Sequence, residues 1–168
     1  DFEEQSFNTS FTYCLDQRGI AIAKEGLNSL SVAMPYVFMF VPEIRSVSVI
    51  QYEWEFRRGR IRTTQKDNIK VQEVVIKRNK EENIIYIASI QSENISVVTE
   101  VERKGNSIWI KKFSEQLPRL FCDFPLIGTE DFAFPAVVNS SKFNPAEPRN
   151  GIFLKDVDEA ETNENKSL

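Results

Sequence analysis

The chain of 168 residues contains no histidine, two cysteines, two tryptophans and six glycines. Without histidine there is no Ser-His-Asp triad, no imidazole base and no imidazole metal ligand. Two cysteines, Cys14 and Cys122, cannot build a thiolate zinc site. They could form one disulfide, but both stand in apolar, strand-like runs, which reads as two buried free thiols in a reducing, cytoplasmic setting. Long apolar runs are lacking too. Val32 to Val41 is the longest, and Pro35 interrupts it, so no membrane span is expected. Net charge is −4 and the pI about 5.1, which gives no overall reason to expect nucleic acid or a membrane surface. What the chain has in quantity is phenylalanine, 13 residues, enough for a substantial packed interior.

Between Leu27 and Ile44 the apolar positions Leu27, Leu30, Met34, Val37, Phe38 and Val41 recur at steps of three and four. That spacing predicts a helix with one buried face, kinked or restarted at Pro35 and ended by Pro42. Before it, "SFTYCL" at 10–15 reads as a strand and "DQRG" at 16–19 as a turn. After Arg45 come six runs rich in Val, Ile, Thr and aromatics: "RSVSVIQYEWEF", "GRIRTT", "NIKVQEVVIKR", "NIIYIASI", "NISVVTEVER" and "NSIWIKKF". Their connections, "RRG", "QKD", "NKEEN", "QSE" and "KG", are too short for crossover helices and predict an antiparallel meander. Alternation of Ile95, Val97, Thr99 and Val101 against Ser96, Glu100 and Glu102 predicts one covered face and one wet face. "LPRLFCDFPLIG" reads as a further strand. The expected fold is therefore α+β, a predominantly antiparallel β meander packed against one N-terminal helix. The acidic end from 157 reads as a tail or the start of a helix.

Three features invite a functional reading. The basic run Arg57, Arg58, Arg60, Arg62, Lys66, Lys70, Lys77, Arg78 and Lys80 follows Trp54 and Phe56. Such a face could grip single-stranded nucleic acid or an acidic partner, or simply protect exposed strands. Glu53/Glu55 and Glu100/Glu102 fall at i, i+2 on strands, a spacing shared by acid/base pairs and ordinary wet faces. The third lies in "FPAVVNSSKFNPAEPRNGIF", where Pro145 and Pro148 stiffen a loop that presents Arg149, with Asn139 and Lys142 at its start. A fixed guanidinium suits capture of phosphate or carboxylate. Equally, Arg149 could pair with Glu147 while Asn139 makes a local turn.

That stretch resembles a family. Phe121-Cys122, Pro125-Leu126, Pro135, Val138-Asn139, Phe143, Arg149 and Ile152-Phe153 are similar to the segment after the nucleotide-binding domain of Hsp90-like ATPases of the sacsin type. "NTSFTYCLD", through Thr9 and Phe11, is similar to the last strand of the GHKL ATP-binding fold. The helix region "GLNSLSVAMPYVFMFVPEIRSVSV" resembles the connection that leads out of that fold. The resemblance implies that 1–43 holds the end of a GHKL domain and its connecting helix, 44–156 a β-rich middle-type domain, and 157–168 the acidic end. It implies a piece of a longer, bacterial, chaperone-like protein in which ATP and Mg are held by the preceding domain and none by this stretch. Arg149 matches the basic residue that reaches the γ-phosphate, with Asn139 and Lys142 in support and Thr9 a remnant of the nucleotide domain. Partners implied are that preceding domain, a client protein on the sheet and a second copy of the chain, with no membrane and no nucleic acid.

Overall fold

The computed structural model describes residues 9–63, 68–105, 107–147, 149–152, 154 and 159–168. Lys66, Pro148 and Phe153, named above, and the turn expected at "QKD" lie outside the described residues. One long helix, α1 (Gln17–Phe40), packs on a mostly antiparallel, curled sheet of nine strands, an α+β arrangement. The strands are β1 (Ser46–Val49), β2 (Trp54–Thr63), β3 (Lys70–Arg78), β4 (Glu81–Gln91), β5 (Ser96–Lys104), β6 (Ser107–Ile110), β7 (Leu120–Cys122), β8 (Phe124–Pro125) and β9 (Val137–Asn139). A second helix, α2 (Glu159–Ser167), closes the chain. Strands β1 to β5 follow one another as the meander requires. Beyond β5 the order runs β9-β7-β8, with β6 beside the other half of β5, and β7 pairs with β9 in parallel.

Helix α1 begins earlier than its apolar spacing predicts. Asp16 is its N-cap, accepting from the Gly19 amide at 2.7 Å, so "DQRG" opens the helix instead of forming a turn. Pro35 sits inside the helix, buried against the sheet, and the helix continues through it. Residues 10–15 form no strand. Phe11 and Tyr13 are 80% and 78% exposed, because no described strand offers their backbone a partner. Cys14, expected to be buried, is exposed with them for the same reason, and Cys122 is half-buried; both are free thiols.

The helix ends for a chemical reason. The Phe38 carbonyl would accept from residue 42, but Pro42 has no amide hydrogen. Arg58 of β2 supplies the missing donor: its Nη2 bonds the Phe38 carbonyl, and its Nη1 bonds the Pro42 carbonyl at 3.0 Å. Burial pulls the Arg58 pKa below the usual arginine value, while nearby Glu43 opposes that shift. Around this junction, Ala33, Met34, Tyr36, Val37 and Phe38 meet Phe56, Val74, Ile87, Val98, Leu117, Phe121 and Val137 in one core.

Three readings of the strands need correction. "RRG" is not a turn. Arg58 pairs with Val74 and Ile61 with Gln72, so Gly59 and Arg60 together oppose Glu73, a bulge inside one strand. A Cβ on Gly59 would lie 2.7 Å from the Glu73 Cβ, which is why glycine stands there. The alternation along β5 runs in the opposite phase to that expected. Val98 is 1% exposed under α1, whereas Val97 is 38% exposed on the opposite face. Apolar residues occupy both phases of this strand, so alternation alone picks no side. The "LPRLFCDFPLIG" strand, likewise, is broken at Asp123 into β7 and β8.

Two outcomes test this packing. Arg58→Met leaves the Phe38 carbonyl unbonded and should cost about 1.5–3 kcal/mol in urea unfolding, with Arg58→Lys recovering less than half. Burial, with Glu100 adding and Arg119 opposing, raises the Tyr36 hydroxyl well above the usual tyrosine range. The folded chain then keeps a proton that the unfolded chain releases, so stability is full below about pH 10 and falls as pH rises beyond it. Tyr36→Phe should flatten that alkaline decline in unfolding free energy measured against pH.

Candidate functional site

The sequence between Leu117 and Ile152 builds a knot of short strands and turns at the β7 edge of the sheet. Asp123 is the single residue between paired Cys122 and Phe124, and it takes a left-handed φ of 61°. Such a turn exposes its amide with no strand partner. Asn139, at the end of β9, provides one: its Oδ1 accepts from the Asp123 amide at 2.7 Å. Asn139 is only 6% exposed, so this bond is made away from bulk water, where an unmet amide is costly. The parallel pairing of Phe121 with Asn139 places the two in reach.

The loop after β9 returns to the same turn. The Cys122 Sγ lies 3.5 Å from the Phe143 carbonyl, and Phe143 itself is buried. Ala146 donates to the Gly151 carbonyl at 2.9 Å, and Pro145 bridges to Ile152, so the described residues 145–147 and 149–152 lie on a small closed loop. Its far side lies on Gly128, at φ 103°, where a Cβ would stand 3.3 Å from the Asn150 carbonyl oxygen. Glycine there serves both the backbone angle and the approach of the loop.

Arg149 sits in this loop at a left-handed φ of 67°, its amide donating to the Ala146 carbonyl. Its guanidinium is exposed, with Nη2 3.4 Å from the Cys122 carbonyl. Asn139 and Arg149 therefore bracket one turn, the first holding the amide of Asp123 and the second reaching the carbonyl of Cys122. Among the described residues Arg149 makes no ion pair, with Glu147 or any other acid. Lys142 is exposed, its backbone amide donating to the Ser140 Oγ at 3.1 Å. With Asp123 and Asn139 it lines a polar hollow of about 180 Å³ beside Phe40, at the end of α1. Thr9 is exposed and irregular, and none of these contacts includes it.

Helix α2, formed by the acidic end, is fastened to the same loop. Asn165 Oδ1 accepts from the Asn144 amide at 2.8 Å, and its Nδ2 donates to the Asn144 carbonyl at 3.0 Å. Glu164 accepts from the Asn144 side chain at 2.8 Å. Sequence reasoning passed over Asp123, Asn144 and Asn165. A lone Asp between two short apolar runs is a turn signal that could have found the first. Nothing in a polar, acidic segment marks Asn165 as a clamp.

The basic run of 57–80 is divided by the sheet. Arg57 pairs with Glu82 at 3.3 Å and Arg62 with Glu73 at 3.6 Å. Arg58 is held by α1, and Arg78 lies 5.4 Å over the Trp54 ring. Of the i, i+2 carboxylates, Glu100 is similarly drawn off to Lys111 and Glu102 to Lys104. Among the described residues no three His, Cys, Asp or Glu side chains converge to hold a metal ion. Among the described residues no helix is long and apolar enough to cross a membrane. Set against protein-family models, curated proteins and solved structures, the chain matches none.

What this arrangement offers chemically is one exposed guanidinium on a closed loop, able to meet an anion brought to it. Asn139 acts as a fastener of the turn below. Asn139→Ala should cost about 1–3 kcal/mol, as expected for stranding a buried amide. The same variant should strip hydrogen-exchange protection from the Asp123 amide while leaving β2 to β5 protected.

Proposed function

We propose that the chain is the middle-type region of a bacterial Hsp90-like ATP-binding protein, in which Arg149 reaches the γ-phosphate of ATP held by the preceding GHKL domain. The observation that carries this reading is the state of Arg149. It stands on a loop closed by the Pro145–Ile152 bridge, exposed, and with no carboxylate partner among the described residues. A cation already held in place, and not neutralised, is what stabilising charge on a transferring phosphoryl group requires. ATP and its Mg supply the phosphoryl chemistry in the preceding domain. This chain's part is to aim one side chain, with Asn139 and Lys142 at the base of the loop.

The N-terminal end supports the same reading. Phe11, Tyr13, Leu15, Ile20 and Ile22 are large, apolar and exposed, as residues are when they belong against another body. A preceding domain is the partner the proposal assigns to them, with Thr9 on its side of the boundary. The face of the sheet away from α1 is open to a client protein.

Arg149→Ala in the full-length protein should lower ATP turnover ten-fold or more, as loss of one phosphate-stabilising donor does. Arg149→Lys should fall between the two, since an ammonium keeps the charge and loses the fork. An unchanged rate removes Arg149 from the site. The 168-residue chain alone should show no heat of ATP binding in calorimetry. Micromolar affinity there would place the nucleotide site within this chain and overturn the assignment.

A further inference from the structure

We infer that the face of the sheet turned away from α1 carries a binding site for a small carboxylate with an apolar body, anchored by Arg103. The register builds it. Glu73 pairs with Tyr86, Tyr86 with Val101, and Val101 with Ile110, while Arg103 pairs with Ile108. All of these side chains therefore share the face opposite Ile87 and Val98, which lie in the core under α1. Beyond the Gly59–Arg60 bulge, the end of β2 carries Arg62 to the margin of the same hollow, since bulges bend and twist the strand that bears them. The hollow has a volume of about 300 Å³, at the small end of ligand sites, and a floor of Val71, Tyr86, Val101 and Ile108.

Charge decides what fits. Two carboxylates stand at the margin, and each has its cation: Glu73 is 3.6 Å from Arg62, and Glu102 is 2.6 Å from Lys104. Arg103 is different. Its Nε donates to the Gly105 carbonyl at 2.9 Å, which fixes the plane of the guanidinium, and among the described residues no carboxylate meets Nη1 or Nη2. One uncompensated, pre-oriented fork at the mouth of an apolar hollow is complementary to one carboxylate with a hydrocarbon or aromatic body. A polyanion finds a single free cation there and gains nothing from the floor. The site uses none of the residues assigned to the nucleotide-facing loop.

The test is a methyl and amide NMR titration of the whole chain with hexanoate, octanoate and decanoate, and with octanol as the neutral control. Shifts should concentrate at Val71, Val101 and Ile108, and affinity should rise with chain length as the floor fills. Octanol should bind about ten-fold more weakly than octanoate, the effect of losing one charge-assisted pair of hydrogen bonds. Arg103→Gln should abolish that difference while leaving the spectrum of the unliganded chain otherwise unchanged. Three results would overturn the proposal. One is no shift up to the solubility limit of decanoate, and another is equal affinity for acid and alcohol. The third is a response spread over Ile84, Ile90 and Val97, apolar side chains of the same face outside the hollow, which would mean unspecific adsorption. Sedimentation that shows a ligand-independent dimer burying the Val101 and Ile108 methyls would also exclude it and assign the face to a second copy of the chain.

Discussion

The join between the end of α1 and strand β2 is the constraint on which the remainder of the molecule rests. Pro42 stops the helix and at the same time deprives the Phe38 carbonyl of its donor, so the helix end is incomplete by itself. Arg58 completes it from the neighbouring strand, with a second bond to the Pro42 carbonyl. Burial lowers the pKa of that half-buried guanidinium, so part of its hydration is given up for the two carbonyl bonds. One residue thus ties helix to sheet at the point where Phe38 and Phe56, both fully buried, enter the core. Moving α1 along the sheet would break the cap and open the core together.

From that join the two faces of the sheet acquire different fates. The face under α1 is filled by Val74, Ile87 and Val98 and closed at one side by Phe121 and Val137. The other face receives no described element, yet its strands carry nearly as many apolar residues. The bulge at Gly59 relates the two. It keeps Arg58 aimed at the helix end while Arg62, four residues on, reaches the opposite side. In a regular strand Arg58 and Arg62, four residues apart, would share a face, and either the cap or the margin of the open hollow would lose its arginine.

How much of this could be read in the residues depends on whether a feature is local. The helix was visible because Leu30, Met34, Val37 and Phe38 repeat at helical spacing, and the meander because turn residues punctuate β-rich runs. Asp16 is a strong N-cap residue, but its neighbour Gly19 made the same four residues look like a turn. "RRG" misled for a related reason, since glycine marks bulges and turns alike, and only the pairing with Glu73 tells them apart. Val97 and Val98 are equally apolar, so the inward side of β5 is settled by what α1 covers. The strand expected at 10–15 has the right composition and lacks a described neighbour to pair with. Arg149, Asn139 and Lys142 could be singled out by residue type and by the prolines nearby. Their meeting at Asp123 could not, because it depends on β7 pairing in parallel with β9, a contact between distant segments.

The same non-local geometry separates support from chemistry at the candidate loop. Asn139 is buried and its Oδ1 holds the Asp123 amide, so its visible part is to shape the turn. Arg149 is exposed, and its long 3.4 Å contact to the Cys122 carbonyl is weak enough to exchange for an anion. Helix α2 adds to this division, for its Asn165 grips Asn144 by both amide and carbonyl and so fixes the loop from the far side. A loop fastened at Asp123, at Gly128 and at Asn144 loses little entropy when its guanidinium is engaged, because the ordering is already complete in the folded chain. Removing any fastener would therefore weaken anion capture without touching the guanidinium, which distinguishes a positioned arginine from one that is merely exposed.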